Sequence, residues 1–296
     1  MKVSIIGTNG FLSIAIAKYC NMELWALDMY GLNKPQGHDY DNFYKVNLLA
    51  DELEYIELIK SDIIIYASGA GIQHNLHEGS SLIYSLNVTI PVTICNKLKA
   101  NDYKGIFVSF GSVFEIGQTI EHRLFTEEDI ETSSCKAPND YTISKRMLTR
   151  FISSYKHTFT HWHFIIPTIY GEGENSLRLI PYTINSIRKG YPLKFTSGEQ
   201  IRQYIYVNEV PKLIHLSYIK ALQDGIYNIG GNEVLSVKEI VFLIHRIKNK
   251  EMPHDCFGII ERVDADMQYL ALDSSKLYNA IGFNSSIKMS DIISKY

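Results

Sequence analysis

The chain has 296 residues, is 46% hydrophobic and carries a formal net charge of −3. That length supports a sizeable core in one large domain or two smaller ones, and a near-neutral balance without a basic run argues against nucleic acid or an anionic membrane as a partner. Cys20, Cys95, Cys135 and Cys256 are widely spaced with no Cys-x-x-Cys pair, so neither a disulfide framework nor a zinc knuckle is expected. The first residues run straight into a strand pattern, and no apolar run is long enough to span a bilayer. The expectation is a cytoplasmic chain without repeats or low-complexity segments.

Lys2 to Ile6 is a short β-branched run that reads as a buried strand. Gly7-Thr8-Asn9-Gly10-Phe11-Leu12-Ser13 follows, and Ile14 to Cys20 has helical character. Strand, glycine turn and helix together present backbone N–H groups and a helix N-terminus to a pyrophosphate, with Gly7 making the turn and Gly10 allowing close approach. Leu24 to Leu27 reads as a second strand ending at Asp28. A carboxylate at that tip accepts hydrogen bonds from an adenosine ribose and repels a 2′-phosphate, which favours NAD(H), while NADP(H) stays possible.

Phe43 to Leu48 reads as a third strand, Leu53 to Lys60 as an amphipathic helix, and Asp62 to Gly69 as a strand ending in the small residues Ala67-Ser68-Gly69. Small residues there leave room for a ligand at the strand's carboxyl end. Leu82 to Leu98 is predicted as one long helix carrying Asn87, and Ile106 to Ser109 as a strand followed by the turn Phe110-Gly111-Ser112. The alternation predicts an α/β fold of the Rossmann type, a doubly wound parallel sheet covered on both faces.

Phe114 to Pro138 is a polar connection whose Glu127-Glu128-Asp129 cluster reads as a solvated face or a helix start, with no metal role. Tyr141 and Lys145 stand four apart on the next predicted helix, which runs to about Tyr155, so they share one face. A phenol titrates near ~10. A neighbouring ammonium favours the phenolate, so the pair can exchange a proton with a carbinol or carbonyl oxygen. His161-Trp162-His163 opens an apolar strand ending at Pro167; alternating histidines could reach a metal, but no third ligand is evident and packing or surface exposure is favoured. Helices are expected over Leu179 to Lys189 and Val237 to Ile247, with smaller ones around Leu277 and Ile292. Gly198 to Val207 reads as a polar turn entering a strand, and Gly225 to Gly230 as another short strand. Residues 1–166, with returns near 203–232, are expected to bind the dinucleotide; 167–202 and 233–296 form a smaller, discontinuous α/β lid.

The order of these features resembles the extended short-chain dehydrogenase/reductases, the NAD-dependent epimerase/dehydratase group acting on nucleotide sugars. The likeness covers essentially the whole chain: Gly7-x-x-Gly10, Asp28, Ala67-Ser68-Gly69, Asn87-Val88, Tyr141-x-x-x-Lys145, Pro167 with Tyr170-Gly171, Arg202 with Val207, and Asn228-Ile229-Gly230. The Tyr141 to Arg146 stretch and the Ile180 to Arg202 region look most like the 4-ketoreductases of the CDP-abequose and CDP-paratose synthase type. The resemblance implies that Tyr141 protonates a sugar C4 oxygen, while Lys145 holds the nicotinamide ribose and depresses the Tyr141 pKa. It implies further cofactor contacts from Asn9, Phe11, Leu12, Asn47, Leu48, Ala67, Ser68, Gly69, Pro167 and Ile169. Asn175 and Arg202 would hold the nucleotide sugar, and the molecule would be a homodimer.

The pattern departs from the family at three places. Ser13 stands for the third glycine, Ile166 for an Arg before Pro167, and Phe110 for a Ser/Thr that bonds the substrate. Ser112 is the expected replacement for that hydroxyl, with Ser109 second. Family dehydratases carry Asp-Glu where this chain has Gly111-Ser112, so dehydration is not expected. The expected activity is reduction of the C4 ketone of a dTDP- or CDP-linked 6-deoxy-4-ketohexose for surface polysaccharide. The alternatives are an NAD-dependent 4-epimerase and, in another class, a non-catalytic cofactor-binding protein.

Overall fold

The structure, a computed structural model, describes residues 1–72, 76–253, 255–261 and 267–296. The first half alternates as β1 (Lys2–Ile6), α1 (Phe11–Met22), β2 (Ala26–Gly31), β3 (Asn42–Lys45), α2 (Tyr55–Leu58) and β4 (Ile63–Tyr66). It continues with α3 (Ser80–Tyr84), α4 (Ile90–Ala100), β5 (Ile106–Ser112), α5 (Glu127–Thr132), α6 (Asp140–Ser154) and β6 (Thr160–Ile166). The second half holds β7 (Thr168–Tyr170), α7 (Leu179–Lys189), β8 (Ile201–Tyr206), α8 (Glu209–Ile219), β9 (Gly225–Asn228) and β10 (Glu233–Ser236). It closes with α9 (Val237–Ile247), β11 (Tyr269–Leu270), α10 (Ser275–Ile281) and α11 (Met289–Ile293).

Seven strands form one parallel sheet in the order β3-β2-β1-β4-β5-β6-β9. Its central strands are continuous apolar runs, Ile63-Ile64-Ile65-Tyr66 being buried throughout, because helices cover both faces. On one face Val108, Phe110, Trp162 and Phe164 join Ile16, Leu213 and Ile214 of α1 and α8. On the other, Ile64 and Phe107 meet Ile94 and Leu98 of α4. Strand order reverses between β1 and β4, so the ligand crevice of such a sheet opens at their carboxyl ends, where Gly7 and Ser68 lie.

A second, smaller sheet centres on β8, with β10 antiparallel on one edge and β7 and β11 parallel along the other. Thus β8 builds the smaller sheet, whereas α8 and β9 pack with the larger one. The expected long helix over Leu82 to Leu98 is broken: α3 and α4 are joined by a π-helical turn at Ser85–Thr89. Asn87 in that turn is buried, and its amide bonds Ala70 N, Ala70 O and Ser144 Oγ. A π turn here lets one side chain tie the loop after β4 to α6. The acidic cluster starts a helix, as Thr126 and Asp129 form a capping box at α5.

Candidate active site

The glycine turn is shaped for a dinucleotide. Gly7 has φ +111°, a conformation that favours glycine, and a Cβ there would meet Ser68 Oγ at 2.6 Å. The N-terminus of α1 has no side-chain cap at Gly10 and no acid in its first turn, so its free N–H groups can receive a pyrophosphate. Phe11 and Leu12 occupy that first turn, half-buried. Ser13, in place of the third glycine, is accommodated: it is fully buried and its hydroxyl donates to Gly10 O at 2.8 Å. Asn9 is exposed and its amide donates to Lys34 O, holding the loop after β2 beside the turn.

Ala67, Ser68 and Gly69 follow β4, and Gly69 faces the Asn87 amide, which an added Cβ would approach to 3.1 Å. Asn47 and Leu48 lie just beyond β3; Asn47 Oδ1 accepts from Leu49 N–H, and Leu48 borders a cavity of about 370 Å³ against α4. That cavity's lining includes neither Tyr141 nor Lys145. Pro167 is buried between β6 and β7, and Ile169 lies on β7, packed on the core under α1 and α8.

Asp28 is not where the sequence pattern suggested. The strand β2 continues past it to Gly31, and Gly7 N–H bonds Tyr30 O. Asp28 therefore sits inside the sheet, fully buried, with Lys2 Nζ at 2.8 Å from Oδ2 and the Asn42 amide at 2.8 Å from Oδ1. Lys2 pairs with Ala26 in register, which makes Lys2 and Asp28 diagonal neighbours on one face. Met29 and Tyr30 continue the apolar run, and a charge paired by its neighbour does not end a strand. The residues at the real tip are Gly31, Leu32, Asn33 and Lys34, without a carboxylate.

Asn139 caps α6, its Oδ1 accepting from Thr142 N–H at 2.9 Å, and so fixes the turn that carries Tyr141. The Tyr141 phenol lies near the Ser112 hydroxyl at the end of β5, which lowers its pKa in part, and Ser112 Oγ accepts from Phe114 N–H at 3.3 Å. Phe114 stands edge-on to its ring at 6.2 Å. Burial pushes the phenol up to about 12; the neighbouring Ser112 hydroxyl and Arg178 work against that, while Glu115 adds to it. Lys145 Nζ donates to Phe110 O at 2.8 Å and lies 5.9 Å from the centre of the Tyr141 ring. Burial brings the ammonium down to about 8, and the Glu115 carboxylate raises it in part. Arg178, which the sequence reading did not single out, adds positive charge near the phenol, and Lys145, bonded to Phe110 O, lies beneath the turn beside the same ring.

Arg178 leads α7 and pairs with Glu174 at 3.4 Å. Asn175, three residues earlier, turns the same loop through its carbonyl, which accepts from Arg178 N–H, and its side-chain oxygen accepts from Leu177 N–H. Arg202 lies on β8, largely buried, with Nη1 donating to Ile201 O. Arg178 and Arg202 both act on the Tyr204 hydroxyl, so the two guanidinium groups face one region of the smaller sheet.

Ser109 points elsewhere: its hydroxyl lies 2.8 Å from His161 Nε2 and 2.7 Å from His163 Nδ1, fully buried. It is engaged by the histidines of the neighbouring strand and is no substitute for the missing Ser/Thr. Among the described residues no cluster of His, Cys, Asp or Glu could hold a metal. No helix among them is long and apolar enough to cross a membrane.

The sequence profile of the NAD-dependent epimerase/dehydratase family matches residues 3–230. A dTDP-glucose 4,6-dehydratase of Salmonella typhimurium is 24% identical over 206 residues, 62% of this chain and 54% of the relative, so the match spans about half that enzyme's length. The CDP-abequose synthase of the same organism is 26% identical over 242 residues, covering 75% of this chain and 74% of the relative. Among solved structures, MoeE5 in complex with UDP-glucuronic acid and NAD superposes with a TM-score of 0.84 at 14% identity, covering 99% of this chain and 97% of its own. With a glycine turn that fits a dinucleotide and a match over residues 3–230, the chain belongs to the NAD-dependent epimerase/dehydratase family of extended short-chain dehydrogenase/reductases.

Proposed function

We propose that the protein reduces the C4 ketone of a nucleotide-activated 6-deoxy-4-ketohexose, dTDP- or CDP-linked, in deoxysugar formation. The observation that carries this reading is the placement of Ser112, Tyr141 and Lys145 together at the turn that ends β5, where, among the described residues, no carboxylate is free to face a sugar. Glu115 is the acid nearest that turn, and it is fully buried, accepting from Ser112 N–H at 2.7 Å and from the Thr149 hydroxyl at 2.6 Å. Removing water from a sugar needs an acid and a base at the substrate, and this turn presents a phenol and a hydroxyl instead. The likeness to a CDP-abequose synthase over three quarters of the chain supports the same class of substrate.

A nicotinamide dinucleotide held at the glycine turn would supply the hydride. Tyr141, kept protonated by burial, donates a proton to the C4 oxygen, and Ser112 orients that oxygen through its hydroxyl. Lys145, held by Phe110 O, supplies positive charge beneath the turn. Arg178 and Arg202 bind the diphosphate of the sugar nucleotide; a guanidinium offers a planar fork matched to phosphate oxygens. Gly7, Gly10 and the α1 N-terminus would hold the pyrophosphate of the dinucleotide. With Gly31 to Lys34 at the tip of β2 and no acid there to repel a 2′-phosphate, we assign use of both NADH and NADPH. Pairing of two copies through α4 and α6 is proposed on the family likeness, with Ile143 and Met147 of α6 exposed for it.

The test is loss of NADH or NADPH absorbance with dTDP- and CDP-6-deoxy-4-ketoglucose. Oxidation of the reduced cofactor is expected. No oxidation with either sugar, together with C4 inversion of an intact nucleotide sugar at constant NADH, would replace this reading with a 4-epimerase.

A further inference from the structure

Behind the catalytic turn an unbroken line of buried polar groups crosses the molecule. His161 Nε2 lies 2.8 Å from Ser109 Oγ, Ser109 Oγ 2.7 Å from His163 Nδ1, and His163 Nε2 3.0 Å from Thr149 Oγ1. Thr149 donates to Glu115 Oε2 at 2.6 Å, and Glu115 Oε1 accepts from Ser112 N–H. All five side chains have zero exposure. Gly111 makes room for the line, since a Cβ there would meet Glu115 Oε1 at 2.6 Å and His163 Nε2 at 2.9 Å.

The line has a direction. An ionised carboxylate only accepts, so the Thr149 hydrogen points at Glu115. His163 Nε2 must then be the N–H that donates to Thr149 Oγ1, which leaves Nδ1 to accept from the Ser109 hydroxyl. Ser109 Oγ in turn accepts from His161 Nε2–H. His161 Nδ1 is left bare, and it has no hydrogen-bond partner among the described residues. Beyond it a cavity of about 220 Å³ is lined by His157, His161, Glu131 and Asp224, and Asp224 is exposed. The His157 ring stands edge-on to His161 at 5.0 Å. His161 pairs with Phe107 at the amino end of β5, and Ser112 ends that strand, about 17 Å away at the rise of a strand.

We propose that His161, Ser109, His163 and Thr149 conduct protons between this cavity and Glu115, so that the carboxylate beside Lys145 and Tyr141 is charged and discharged from the far edge of the sheet. A proton added at His161 Nδ1 sends the Nε2 proton to Ser109 Oγ. The Ser109 proton goes to His163 Nδ1, the His163 Nε2 proton to Thr149 Oγ1, and the Thr149 proton to Glu115 Oε2. One proton enters, one carboxylate becomes a carboxylic acid, and each group between keeps its proton count with its hydrogen bond reversed.

The functional use rests on the ketoreductase reading. When Tyr141 gives up its proton, a phenolate forms within the field of Glu115, and two buried anions there repel. Neutralising Glu115 through the line removes that repulsion. Burial holds Glu115 up to about 7, against the Thr149 and Ser112 hydrogen bonds and the cations Lys145 and Arg146 of α6. Burial lowers His163 to about 3, with Lys145 acting in the same sense. His161 is lowered by burial, His163 and His157. Asp224, which accepts from His161 N–H, and Lys99 act on His157 at the mouth. Glu115 thus lies in a range where both its states are populated near neutral pH, whereas the histidines stay neutral and pass protons.

The experiment is infrared difference spectroscopy on the whole protein, which reads the Glu115 carboxyl without any substrate. A carboxylic-acid band, absent in Glu115→Gln, is expected to grow as pH falls through about 7. On mixing into D2O that band should shift at once in the wild type and at least tenfold more slowly in Ser109→Ala and Thr149→Val. Thr149→Ser, which keeps the hydroxyl, should restore the wild-type rate and is the deciding control if Ser109→Ala fails to fold. Wild-type exchange in Thr149→Val, or no band that depends on Glu115, would overturn the proposal. Inactivity of the wild type on ketosugars would count against the ketoreductase alone and leave the infrared result standing.

Discussion

Tyr141 owes its role to the groups around it. Spacing alone brings it near Lys145, but the fold adds the Ser112 hydroxyl and Arg178 and buries the phenol until it titrates at about 12. Such a group is an acid that stays loaded at working pH. Tyr141→Phe should lower kcat by about 10² to 10⁴, with nucleotide-sugar affinity kept, as measured by calorimetry; undiminished turnover would remove the acid from the proposal. Lys145 carries its charge below about 8 and loses it above. The rate should therefore decline on the alkaline side through that pH, and Lys145→Arg, which stays charged, should abolish that limb while lowering the plateau. Asp28 yields a contrasting expectation. It is buried between Lys2 and Asn42 inside the sheet, short of the tip of β2, a place suited to holding strands together. Asp28→Asn should leave the NADH to NADPH ratio of rates unchanged and cost about 1.5–3 kcal/mol of stability, the range for hydrogen bonds to charged groups. A changed ratio would return the carboxylate to the ribose.

At the scale of elements, what the sequence reveals follows how local each cause is. The parallel strands were legible because each is an apolar β-branched run between turn residues, and α6 because Asn139 and the Tyr141/Lys145 spacing are local signals. The end of β2 was not legible, since what lets the strand run through Asp28 is Lys2 on its neighbour, far away in sequence. The short strands β7, β10 and β11 escaped for the same reason: each is set by pairing with β8. Arg178 and Glu115 lacked any motif, and only packing brings them to Tyr141. The π turn belongs to this group as well. Its Asn87 makes three buried hydrogen bonds, to Ala70 N, Ala70 O and Ser144 Oγ. Asn87→Ala should cost about 2–4 kcal/mol, taking roughly 1 kcal/mol for each bond, and should weaken dinucleotide binding by freeing the loop after β4. A urea midpoint at the wild-type value with cofactor affinity unchanged would show that the π turn holds without its side chain.

For the molecule as a whole, the buried polar line makes stability depend on pH in a way that can be assigned. Glu115 has its pKa raised to about 7 from 4.5, so the folded state binds its proton more tightly and stability from this group is lost as pH rises from 4.5 to 7. His163 is lowered to about 3 from 6.5, and His161 is lowered as well, so their contribution is lost as pH falls below 6.5. Between pH 4.5 and 6.5 the unfolded chain takes up two protons on the histidines while the folded chain holds one on Glu115. The net slope is one proton, about 1.4 kcal/mol per pH unit, with stability falling on acidification. In Glu115→Gln the opposing carboxyl is gone and the slope from this line doubles, to about 2.8 kcal/mol per pH unit. Other acids raised by burial, such as Glu174 and Glu233, act equally in both proteins and cancel in the difference. Urea unfolding at pH 7.5, 6.0 and 5.0 reads this directly: the gap between variant and wild type must shift against the variant as pH falls. Parallel curves would mean that Glu115 does not take up its proton in the folded state, and the line behind the active site would then be a fixed brace.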